Sequence, residues 1–172
     1  MGASRMRTEA RRAKAEGRKH RGRGLGIRAA ALFAAVAVMG LVAAAPSGAW
    51  TDDPTQGCTP GYWKNHTDSW VTYTPDQTVD SVFTGADPSL GSATLLDALN
   101  FKGGPHLVGK EEILLRAGVA GLLNTTAGID YGVKPANMIK AVNTALASGK
   151  LARIIRIATR IDTRNNLTCP LS

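Results

Sequence analysis

The sequence predicts an all-α fold: a small disulfide-tied helical bundle preceded by a signal peptide. Three observations carry that expectation. Several stretches beyond residue 49 repeat apolar residues at helical spacing, and no period-two strand of useful length interrupts them. Cys58 and Cys169, the two cysteines, stand near the two ends of the same region. The positive charge is confined to the start of the chain. Residues 1–49 carry ten basic and two acidic residues, the whole of the formal +8, while residues 50–172 carry eleven of each. A basic total would suggest nucleic acid; a neutral body with a basic leader does not, and no nucleic-acid partner is expected.

The leader has the three parts of a secretory signal. A basic segment spans 1–28, an Ala-rich apolar segment spans 29–45, and Ser47-Gly48-Ala49 fits a small-residue cleavage site before Trp50. Export would place the protein outside the cell, secreted or displayed on the surface. The alternative is an uncleaved leader that anchors a surface protein, although seventeen apolar residues fall short of the roughly 20 a span needs. The membrane would then be met only through the leader. The Ala/Gly/Arg-rich composition has a bacterial character. In an oxidising compartment an even pair of cysteines bridges. Closing 111 positions between Cys58 and Cys169 is worth about 4–5 kcal/mol on the chain-entropy model. The alternative is a pair of free buried thiols.

Residues 50–57, with Asp52-Asp53-Pro54, read as a polar linker, and 58–171 as the helical domain. Thr59 and Pro60 suit the N-cap and first position of a helix running to about Val71. At about 100° per residue, Tyr62, Trp63, His66 and Trp70 would share one face about 100° wide. Lys64, Asn65 and Asp68 would lie opposite, with Lys64 and Asp68 spaced as a surface ion pair. Val79–Phe83 suggests a short helical turn, and 91–99 a second helix with Leu95, Leu96 and Leu99 on one face. Lys102-Gly103-Gly104-Pro105 reads as a loop.

Residues 110–124 are apolar almost all round, broken only by Arg116 after the opening glutamates, so this helix belongs at the centre of the bundle. Gly118 and Gly121, beside Ala117 and Ala120, would let a neighbouring helix come close. Pro135 opens an amphipathic helix with Met138, Ile139, Val142, Ala145 and Leu146 on one side, and Gly149 stands where a C-terminal cap belongs. A last helix, 151–162, would turn Leu151, Ile154, Ile155, Ala158 and Ile161 inward. Arg153, Arg156 and Arg160 would line its outer side, with Arg164 extending the row.

Cys58-Thr59-Pro60-Gly61-Tyr62-Trp63-Lys64-Asn65-His66 resembles the signature of a set of exported microbial modules that open with Cys-Thr-x-Gly-Tyr/Phe-Trp-Lys-Asn-His. The block from Leu114-Leu115-Arg116 to Leu122-Leu123-Asn124 is similar to their middle, as is Asn165-Asn166 shortly before Cys169-Pro170-Leu171. The resemblance covers 58–171. It implies a secreted or surface-displayed module, often part of a larger surface protein, and brings no enzymatic activity with it.

Chemistry must then be sought residue by residue. His66 is the natural candidate for a general base, and an extracellular hydrolase using it with Lys64 or Asp68 is the enzymatic alternative. Such a base needs an orienting partner and a nucleophile within reach, and no known catalytic motif supplies them here. Neither a cofactor nor a metal site is expected, since the cysteines are isolated and no second histidine lies at i+3 or i+4 from His66. The expected role is non-catalytic, structural or binding. Tyr62, Trp63, Lys64, Asn65 and His66 are candidate binding residues if the rings reach the surface, and core or rim residues if they do not. Arg153, Arg156 and Arg160 are a solvated face or a contact for an anionic polymer. Cell-wall polymer, a glycan or another surface protein are the expected partners.

Overall fold

The structure, a computed structural model, describes Trp50 and residues 53–172. The predicted signal peptide, with its basic 1–28 and apolar 29–45 segments, lies outside the described residues. Within them the chain forms six α-helices: α1 (Pro60–Asn65), α2 (Pro88–Gly91), α3 (Leu95–Leu99), α4 (Leu107–Thr126), α5 (Pro135–Leu146) and α6 (Leu151–Asn165). Two isolated bridges, Gln56 with Thr168 and Thr78 with Thr94, are the β-type pairings among these residues. The expected small all-α bundle tied by a disulfide is what forms.

Its axis is α4. The sequence places this helix at 110–124, and it starts three residues earlier. An unbroken run from Ala117 to Asn124 is buried, as an all-round apolar helix requires. Helices α1, α3, α5 and α6 all pack on it. The two glycines let the neighbours close in. A Cβ at Gly118 would meet Val142 of α5 at 3.0 Å. One at Gly121 would meet Ile161 of α6 and Met138 of α5, each at 2.9 Å.

The flanking helices follow their sequence signals. In α5, Met138, Val142, Ala145 and Leu146 are buried. The helix is capped by Ala147; Gly149, at φ 57°, donates its N–H to the Leu146 carbonyl at 3.0 Å. The helix expected over 91–99 begins only at Leu95, as α3, and a short helix that was not expected, α2, precedes it. Asp87 caps α2, and Thr94 and Asp97 form a reciprocal capping box that restarts the chain as α3. Leu95, Ala98 and Leu99 are buried beneath it.

Helix α1 differs most from expectation. Thr59 Oγ1 caps it by accepting the Tyr62 N–H at 3.1 Å, with Pro60 in the first turn. It stops at Asn65 rather than Val71, and a 3₁₀ turn over Thr67–Ser69 follows. Side chains take the carbonyls the next turn would use. Asn65 Nδ2 donates to Gly61 O at 2.9 Å, and His66 Nδ1 sits 2.8 Å from Tyr62 O. The expected helical spacing of Lys64 and Asp68 therefore does not exist.

Helix α6 runs three residues past its predicted end. Ile154, Ala158 and Ile161 are buried, but Leu151 and Ile155, expected inward, are each 44% exposed. Arg164, expected to extend the outer arginine row, is buried instead. Its Nη1 donates to the Tyr131 carbonyl at 3.3 Å.

Both ends of the domain are fastened together. Cys58 and Cys169 form the expected disulfide across 111 positions. The stretch read as a linker is held too. Gln56 N donates to Asp130 O, and Gly57 N to Thr168 O, both at 3.1 Å. No helix among the described residues is long and apolar enough to cross a membrane.

Candidate functional site

The opening motif is built around two buried asparagines. Asn124, near the end of α4, accepts the Cys58 N–H and the Trp63 Nε1–H on its Oδ1, both at 3.0 Å. Its Nδ2 donates to the Cys58 carbonyl at 2.9 Å and to Asn165 Oδ1 at 3.0 Å. Asn165, at the end of α6, donates to the Ala117 carbonyl at 3.0 Å and accepts the Tyr131 hydroxyl at 2.6 Å. Both amides and the indole of Trp63 are fully buried. Every polar atom in this clasp has a partner, the condition for burying it without penalty. Burial pushes the Tyr131 hydroxyl well above the usual tyrosine range.

The rings divide between core and surface. Trp63 is core; Tyr62 packs edge-on to it, with centroids 5.1 Å apart. Trp70, no longer on the helix, still reaches back, its Nε1 donating to Trp63 O at 3.0 Å. Tyr62 stacks on the exposed imidazole of His66 at 4.2 Å, and its hydroxyl donates to Leu171 O at 3.0 Å. The contact of His66 Nδ1 with the Tyr62 carbonyl assigns the proton to Nδ1, because a carbonyl can only accept. His66 thus serves the turn that ends α1.

Lys64 and Asn65 face solvent. Lys64 lines a cavity of about 310 Å³ together with Lys102, Arg116 and one carboxylate residue, Asp162. Pro60, Gly61, Leu99, Asn100, Phe101 and Asn166 complete the wall. Arg116 is half-buried, and its Nη1 donates to the Phe101 carbonyl at 2.8 Å, which fixes the guanidinium before any ligand arrives. Such a cavity attracts oxyanions.

The arginines of α6 belong elsewhere. Arg153 and Arg156 are exposed and line a different depression with Lys140, Asn137 and Trp50. Arg160 is also exposed but lies over the Trp50 ring, 4.2 Å from its centroid, with Arg164 on the same ring at 5.1 Å. Among the described residues, the cavity that Lys64 lines and the depression that Arg153 and Arg156 line are separate.

Lys102, Arg116 and Asp162 as site residues, and Asn124 and Asn165 as the clasp, are not among the candidates that the sequence offers. Arg116 did carry a signal, as the one interruption of the apolar run of α4. The two asparagines stand among the residues that carry the resemblance, but their role as a clasp is set by partners 41 and 66 positions away.

Fold and site together define a disulfide-closed helical domain that fastens an aromatic motif inside and turns the motif's lysine toward a cationic cavity. No protein-family model, curated protein or solved structure matches the chain.

Proposed function

We propose that the chain is an exported, non-catalytic binding module that works in the extracellular space or on the cell surface. One observation carries this reading: the buried half of the motif, Cys58 and Trp63, builds the fold, while Lys64 joins Lys102 and Arg116 around an open cavity. The signal-like leader and the disulfide support export. The resemblance of Cys58–His66 to exported microbial modules points the same way. Among the expected partners, cell-wall polymer, glycan or surface protein, the cavity favours one that carries negative charge.

The test is binding of the oxidised protein to isolated cell walls, a glycan array and surface-protein extracts. The wild type is compared with Lys64→Ala and with Arg153→Ala/Arg156→Ala. Binding that falls at least tenfold in Lys64→Ala and survives in the arginine pair is the expected result. Absence of binding to all three, or binding indifferent to Lys64, overturns the proposal. N-terminal sequencing of the exported protein separates a cleaved module, starting at Trp50, from an anchored one that keeps Met1.

A further inference from the structure

The cationic cavity has an apolar neighbour. Between α4 and α6 lies a second depression of about 280 Å³, lined by Ile113, Ala117, Ile155 and Ala158 together with Lys110 and Thr159. Arg116 and Asp162 line both depressions, so the two share a wall. On the wall of this apolar slot, Ile155 is 44% exposed although the neighbouring Ile154 and Ala158 of α6 are buried.

We propose, resting on the binding-module reading, that the two depressions form one site for an acidic peptide segment of a partner protein. A branched apolar side chain of the segment enters the slot against Ile113 and Ile155. A carboxylate one or two residues further on reaches Lys64 and Lys102, with Arg116 between the two subsites. Charge complementarity selects the acid. Residues 50–172 are neutral as a whole, yet Lys64, Lys102, Arg116 and Lys110 gather here against Asp162. The slot selects peptide over sugar. Ile113, Ala117, Ile155 and Ala158 give it an aliphatic side for an apolar side chain, and the rest of its lining, Lys110, Arg116, Thr159 and Asp162, includes no aromatic platform on which a sugar ring would stack. Arg116 is already held by the Phe101 carbonyl, so little side-chain freedom is lost when it meets a carboxylate.

The experiment titrates the oxidised protein into fluorescein-labelled Gly-Leu-Glu-Glu amide and follows anisotropy. Gly-Leu-Gln-Gln and Gly-Ser-Glu-Glu amides and polygalacturonate serve as the comparison probes. The variants are Ile155→Asn and Lys64→Gln/Lys102→Gln, all at exposed positions, with urea midpoints checking that the fold is unchanged. Saturable binding of Gly-Leu-Glu-Glu is expected, at least tenfold tighter than either altered peptide and weakened at least tenfold by each variant. Equal binding of Gly-Ser-Glu-Glu, or binding indifferent to Ile155→Asn, overturns the shared site. Polygalacturonate bound through the lysines alone overturns the peptide and leaves the binding module standing. If no probe binds, the peptide proposal falls, and the cell-wall, glycan and extract assay decides the module separately.

Discussion

Replacing Asn124 by leucine removes the centre of the clasp while keeping side-chain volume similar. Four hydrogen bonds disappear. Asn165 Oδ1 keeps the Tyr131 hydroxyl, but the Cys58 N–H, the Cys58 carbonyl and the Trp63 indole N–H lose their partner. Each stranded buried group costs about 1–3 kcal/mol. Some relaxation and the apolar gain of leucine offset part of this, leaving about 3–6 kcal/mol. That is a large share of the roughly 5–15 kcal/mol a domain has. The assay is urea unfolding of the oxidised protein followed by tryptophan fluorescence. At an m-value of about 1.5 kcal/mol/M the midpoint falls by about 2 M or more. Asn166→Leu is the comparison. Its amide, at the cap of α6, is exposed and bonds to Asp162 O, one turn back in the helix, so it shifts stability by no more than about 0.5 kcal/mol. An Asn124→Leu midpoint within 0.5 M of wild type, or equal to that of Asn166→Leu, refutes the reasoning (~0.5 M is about 0.75 kcal/mol at that slope).

Three further outcomes follow from the same geometry. A Cβ at Gly57 would overlap the Arg164 carbonyl oxygen, a backbone atom that cannot swing aside, so Gly57→Ala lowers stability by about 2–3 kcal/mol in the same urea assay. Cys58→Ser/Cys169→Ser opens the 111-residue loop and costs up to about 4–5 kcal/mol, read as a lowered melting temperature that reductant no longer changes. Burial raises the Tyr131 pKa in the folded state. Its stabilising contribution is therefore complete below the unfolded value of about 10 and is lost as pH climbs above it, because only the unfolded chain releases that proton. Tyr131→Phe, although less stable at neutral pH for want of the Asn165 hydrogen bond, shows a shallower loss of stability between about pH 10 and 11.

Where the signal was local and periodic, the sequence could be read directly. The all-round apolar pattern of α4, the glycines at 118 and 121 and the buried stripe of α5 all appear as the periodicity implies. The cysteine pair named its own partner, because only one pairing is possible. The errors arise where side chains compete with backbone or where distant partners choose the face. Helix α1 ends early because Asn65 and His66 capture the carbonyls of Gly61 and Tyr62. Arg164 turns inward because Tyr131 offers it a carbonyl and Trp50 a ring, neither of which is visible from α6 alone. Residues 55–57 look like a linker in composition, yet Asp130 and Thr168 hold them. Of the cavity, Lys64 is legible from the motif and Arg116 as the break in the apolar run; Lys102 and Asp162 join them through the packing of α1, α3, α4 and α6.

Hydrogen exchange at the Trp63 indole N–H tests most directly whether the opening motif is a fastened platform for Lys64. With Nε1 buried and bonded to Asn124, the proton should exchange only through global unfolding, at a rate that tracks the urea-measured stability and rises when Cys58–Cys169 is reduced. Exchange within seconds in the oxidised protein, independent of global stability, would mean that the motif opens on its own and would contradict the clasp.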